Sequence, residues 1–108
     1  MEIQRLRNLT TGLIHTDMVH VYIDLGSIIG EPNLMTHMLP RAMRAIEPWL
    51  REHVTDQRFW DGKYDPTHTG EHGLPEPTED DRAAMRHRYR AQPDPLAGKA
   101  VIAVHAGR

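Results

Sequence analysis

Apolar residues at Leu39, Met43, Ile46, Leu50 and Val54 are spaced to draw one stripe along a helix. Pro40 is tolerated only in a first turn, where its missing N–H has little intrahelical duty, so this helix begins just before it, with Thr36 as a cap. Pro48 lies inside the pattern and predicts a kink or break near Glu47. A second stripe, Met18, Val21, Tyr22, Leu25, Ile28 and Ile29, follows the capping pair Thr16 and Asp17. Gly30 ends it as a left-handed C-terminal residue, and Pro32 keeps it from resuming. A third helix opens at Thr78, with Asp81 imitating a capping box and Glu79 and Asp80 favouring the positive end of the dipole. Met85 and Tyr89 supply its inner face, Arg82, Arg86 and Arg90 recur at fours along another, and it stops before Pro93 and Pro95.

The remaining segments read differently. EIQRLR over residues 2–7 suggests an edge strand, with a turn from Asn8 to Gly12 and a short return strand at Leu13 to His15; LTTG is the hairpin signal. Near the other end, Val101, Ile102 and Val104 carry strong β-propensity and predict a last strand over residues 99–105, lying against the hairpin. Residues 61–77, DGKYDPTHTGEHGLPEP, show no period and predict a loop. Trp49, Phe59 and Trp60 are expected to close the core. The predicted fold class is α+β, with an antiparallel sheet of about three strands, the N-terminal hairpin plus the C-terminal strand, packed against three helices.

A chain of 108 residues makes one domain, and at that size self-association would help to bury its surface. There is no cysteine, which removes disulfides and thiolate metal sites and fits a reducing cytoplasm. MEIQRLRN places charges where a signal peptide needs an apolar run, and no stretch has the length of a membrane span. With a net charge of −2 no overall field draws the protein to nucleic acid, although single faces can still be basic.

Candidate chemistry is sparse. His68, Glu71 and His72 fit an H-x-x-E-H string, but Pro66, Gly70, Gly73 and Pro75 oppose the helix that such a zinc site requires. Ser27, the only serine, has no strand-to-helix elbow around it, and no phosphate-binding glycine string occurs. No catalytic residue, metal or cofactor is therefore assigned. Two binding candidates remain. Thr36, His37, Arg41 and Arg44 gather polar side chains at a helix start, where an anion or a partner's carboxylate could be held; the alternative is capping and solvation. Arg82, Arg86 and Arg90, with His87 and Arg88 beside them, form a basic row that suits an acidic protein surface or a phosphate backbone, or is a solvated face.

Residues 10–50 resemble small proteins of tailed bacteriophages that share a TG…TG…TH-x-LPRA pattern. The matching positions are Thr11, Gly12, Gly30, Thr36, His37 and Leu39 to Ala42, with Ile29-Gly30 in place of the second Thr-Gly. The resemblance implies a phage origin and transfers no catalytic residue. Small phage proteins of this kind often block host defence. The expected function is thus a non-enzymatic accessory protein in the host cytoplasm that binds and inhibits a host defence protein or CRISPR-type effector. An oligomeric sponge gripping a nucleotide signal through His37 and Arg41 is the second reading, and a nucleic-acid-binding module using the Arg82, Arg86 and Arg90 face is the third.

Overall fold

The structure is a computed structural model that describes residues 1–93. Its longest element, α3 (Leu39–His53), carries the predicted stripe: Leu39, Ile46, Leu50 and the following Val54 are buried, and Met43 packs half-buried against them. Pro40 stands in its first turn, and the helix runs through Pro48 without a break. Thr36 does not cap it. Thr36 opens a short 3-10 turn, Thr36–Met38, and its hydroxyl bonds the phenol of Tyr22 instead.

Helix α2 (Met18–Ile29) starts on Asp17, whose carboxylate accepts from the Val19 N–H at 3.1 Å. It ends at Gly30, where φ is +74° and the N–H returns to the Gly26 carbonyl at 2.8 Å; glycine alone takes that conformation without strain. Helix α4 (Glu79–Ala91) has the reciprocal capping box of Thr78 and Asp81, with bonds of 3.0 and 2.9 Å. Between α3 and α4 there is a second 3-10 turn, Gln57–Phe59, and then a run without helix or strand. Phe59 is fully buried, Trp49 nearly so, and Trp60 lies half-buried with its indole N–H on the Val54 carbonyl at 2.8 Å.

The α+β expectation is overturned. Among the described residues the architecture is all-α, and the nearest thing to a sheet is one isolated antiparallel bridge between Glu2 and Glu71. The first arm and turn of the predicted hairpin form a helix, α1 (Ile3–Thr11), ended by Gly12 at φ +74°, and the expected return strand at Leu13 to His15 is an irregular turn. Leu6 and Leu9 lie one turn apart and enter the core, and the residues between them are straight-chain helix formers or side chains that the tertiary structure buries. Gly12 is thus the left-handed residue of a helix end rather than part of a hairpin turn. The strand expected over residues 99–105 lies outside the described residues. No helix among the described residues is long and apolar enough to cross a membrane.

Candidate functional site

The arginines singled out by spacing are used first by the fold. Arg41 is only 7% exposed. Its Nη2 donates to the carbonyls of Tyr89 and Gln92, both at 2.9 Å, and its guanidinium lies 5.1 Å from the centre of the Tyr89 ring. It therefore supplies donors and positive charge to the carbonyl end of α4, where free carbonyls and the helix dipole favour a cation. Arg44 donates to the Gln92 side chain at 2.8 Å, and Gln92 donates back to the Arg41 carbonyl at 2.9 Å. His37 remains half-buried on the 3-10 turn beside Thr36. The structure thus separates the proposed anion grip, leaving Thr36 and His37 at the helix start and turning Arg41 and Arg44 toward the end of α4.

The second row behaves similarly at α2. Arg82 donates to the Ser27 carbonyl at 3.2 Å and Arg86 to the Ile29 carbonyl at 3.4 Å, so both serve the carbonyl end of that helix. All three arginines of the row meet a carboxylate: Glu76 lies 3.6 Å from Arg82, Glu79 2.7 Å from Arg86, and Glu31 2.5 Å from Arg90. Arg88 faces the other way and donates to the Ala45 carbonyl of α3 at 2.8 Å. An open depression of about 660 Å³ lies between the end of α2 and α4, with Tyr22, Ile23 and Gly26 along one side and Arg82 and Arg86 along the other.

The unforeseen construction is at the opposite end of α2. Arg7 is completely buried. Its guanidinium donates to the Arg58 carbonyl at 2.7 Å, to the Lys63 carbonyl, and to His68 Nδ1 at 2.9 Å. Arginine has no acceptor, so His68 Nδ1 must carry the lone pair and its proton sits on Nε2, 3.7 Å from the Asp56 carboxylate. Burial pushes the His68 imidazole below its usual range; Arg58 and Arg7 act the same way, while Asp56 and Asp65 oppose them. Asp56 itself is lowered to about 2, chiefly by its hydrogen bonds from Arg58. Gln4 adds a bond to the Asp65 carbonyl at 3.1 Å, and the backbones of Met1 and Ile3 pair with His72 and Gly70. The phenyl ring of Phe59 packs against both His68 and His72, at 4.6 and 5.4 Å between ring centres. The expected loop is therefore pinned along α1. Among the described residues no three His, Asp or Glu side chains are arranged to hold a metal.

That pinned loop presents Tyr64, which is 66% exposed and stacks flat on His15 with ring centres 5.5 Å apart. His15 is fixed from behind. Its N–H donates to the buried Asn8 side chain at 2.7 Å, and its Nε2 meets the Thr11 hydroxyl at 2.9 Å. The same hydroxyl donates to the Arg7 carbonyl at 2.7 Å and accepts from the Leu13 N–H at 3.1 Å. Leu13 and Ile14 are left with nearly half their surfaces in solvent. The result is an aromatic and two aliphatic side chains held outward on a hydrogen-bonded support. Periodicity cannot show such a surface, because it is assembled from a turn and a loop about fifty residues apart. The one available sequence signal was the apolar pair Leu13 and Ile14 directly after Gly12, which reads as a short strand.

Residues 1–60 match a protein family described as Domain of unknown function (DUF7736), a span that includes α1, α2, α3, Arg7, Leu13 and Ile14. No curated protein and no solved structure matches the chain.

Proposed function

We propose, for a chain that belongs to the DUF7736 family, that it is a non-enzymatic binding protein of phage origin, which counters host defence by docking on a host protein through Tyr64, Leu13 and Ile14. The observation that supports this reading is the exposed Tyr64 stacked on His15 beside Leu13 and Ile14. Protein interfaces concentrate their energy in a few rigid aromatic and apolar anchors, because a side chain already fixed in the free state gives up little entropy on binding. Tyr64 has that property through its ring contact, and the turn at Leu13 has it through Asn8 and Thr11. The nucleotide-sponge reading depends on Arg41, whose guanidinium is occupied by the carbonyls of Tyr89 and Gln92. The nucleic-acid reading depends on Arg82, Arg86 and Arg90, each of which faces a carboxylate.

The experiment is a plaque assay on a panel of bacteria that each carry one defence system, with the protein supplied in trans. Wild type should raise the plating efficiency of a sensitive phage on at least one strain. Tyr64→Ala combined with Ile14→Glu should abolish that gain while the fold, followed by circular dichroism, is retained. Unaltered rescue by the double variant would defeat the assignment of the surface, and no rescue on any strain would defeat the counter-defence role.

A further inference from the structure

Residues 61–73 cross α1 with a single side chain in the interior. His68 is 3% exposed, Asp65 and His72 are half-buried, and the others face solvent. Backbone groups hold the rest of the crossing: Gln4 donates to the carbonyls of Asp65 and His68, the Ile3 N–H to that of Gly70 at 2.8 Å, and the His72 N–H to that of Met1 at 2.9 Å. The segment therefore closes on one buried anchor, and that anchor titrates. Its ring is faced from α1 by Arg7, whose Nη1 stands 2.9 Å from Nδ1, and from the 3-10 turn and its lead-in by Asp56, Arg58 and Phe59. Asp65 acts on it from within the segment, and His72 shares the Phe59 ring. Arg7 is a permanent cation that only donates, so closure requires a lone pair on Nδ1.

We propose that His68 is a proton-operated latch: when Nδ1 takes a proton from solvent, residues 61–73 come off α1 while the helices stay folded. Protonated in place, the imidazolium would aim an N–H at the guanidinium instead of a lone pair, and two cations would share a buried site. The nearest carboxylate gives little relief. Asp56 lies 3.7 Å from Nε2, beyond hydrogen-bond length, and is itself held by the Arg58 side chain at 2.7 Å and the Arg58 N–H at 3.0 Å. Once the segment lifts, both cations reach water. Burial, Arg58 and Arg7 hold the imidazole below its ordinary range against Asp56 and Asp65, which is the direction such a latch needs. The opening is confined, because Phe59 and Pro77 are buried on either side of the segment and the core around Leu25, Ile46 and Met85 contains no side chain from residues 61–73. Lifting the segment also takes Tyr64 off His15. That consequence for docking rests on the role proposed above, whereas the latch itself does not.

Amide hydrogen exchange of the full-length protein tests the latch between about pH 7.5 and about pH 5, expressed as protection factors so that the intrinsic pH dependence of exchange is removed. Opening takes up a proton below the ordinary imidazole value of about 6.5, so the Ile3 and His72 amides should lose protection there by up to about tenfold per pH unit. Amides in the middle of α3 should stay at least about a hundredfold better protected throughout, since they open only with the whole molecule. His68→Asn places an oxygen that cannot titrate near the position of Nδ1, and should keep the segment closed with no such fall. If the smaller side chain leaves the segment open at every pH, the wild-type ring decides through its nitrogen chemical shifts. Its proton must sit on Nε2 at about pH 7.5, and the second must arrive over the range in which Ile3 and His72 lose protection. Segment protection that is independent of pH, protection lost equally by α3, a His68→Asn variant that falls like wild type, or a His68 proton on Nδ1 would overturn the proposal. Such a failure would leave the docking role standing, because no partner takes part in these measurements.

Discussion

Replacing Arg7 by Met tests whether the buried guanidinium organises the loop over α1. Methionine keeps the unbranched stem and helix propensity, so the helix itself is little affected. The substitution removes the donors to the Arg58 carbonyl, the Lys63 carbonyl and His68 Nδ1. A buried acceptor left without a partner costs about 1–3 kcal/mol. Two effects reduce the sum: a neutral side chain carries no charge to desolvate, and a loosened loop lets water reach the carbonyls. The expected loss is about 2–4 kcal/mol, read from urea unfolding followed by circular dichroism. The same contact fixes a pH dependence. His68 can accept from Arg7 only when Nδ1 is unprotonated, and burial, Arg58 and Arg7 hold its pKa below the ordinary 6.5. The unfolded chain therefore binds the proton more readily than the folded one. The stability this group contributes is complete above pH 6.5 and is lost as the pH falls from there toward the lower folded-state value. His15 is also lowered, mainly by burial and then by Arg7, and acts in the same direction. Between about pH 7.5 and about pH 5.5 wild type should lose stability. Arg7→Met should show a shallower slope, though not a flat one, because burial and Arg58 still act on His68. A loss under about 0.5 kcal/mol for Arg7→Met, or a wild type that grows more stable on acidification over this range, would refute the reasoning.

Four further substitutions probe the fold. Gly30→Ala should destabilise by about 1–2 kcal/mol in urea unfolding, since φ is +74° and an added Cβ would stand 2.7 Å from Arg86 Nη1 and 3.2 Å from Arg82 Cδ. Leu50→Ala should cost about 2–5 kcal/mol as a truncation in the core, whereas Glu71→Ala, whose side chain is exposed, should stay within about 0.5 kcal/mol; equal effects would show the core to be misplaced. Pro48→Ala should raise the thermal midpoint and add about 1–3 kcal/mol, because position 48 is solvent-exposed inside a continuous helix and alanine restores an amide donor there; a destabilised variant would mean that the ring packs usefully.

The sequence alone determined the three longer helices, because their information is local. The stripe from Leu39 to Val54 is a period readable within the helix itself, and the Asp17 cap with Gly30 at the other end and the Thr78 and Asp81 box specify hydrogen bonds within a few residues of themselves. The candidate arginines were legible as residues but not as partners. Whether Arg41 meets a ligand or the end of α4, and whether Arg86 meets a phosphate or the Ile29 carbonyl, depends on which helix end packs nearby. Tertiary structure also decided α1. Its inner face holds Arg7 and Asn8 beside Leu6 and Leu9, all of them buried, so polar letters fill core positions and mask the helical period. Those side chains can be buried only because other groups satisfy them: the distant carbonyls of Arg58 and Lys63 and the His68 ring for Arg7, and the nearby Thr16 and His15 N–H for Asn8. A buried guanidinium is tolerable once such acceptors surround it and costly before, and the acceptors come from a loop more than fifty residues away in the chain. No local pattern in residues 2–15 encodes that arrangement, so only the folded chain could make them a helix and display Leu13, Ile14 and Tyr64 together.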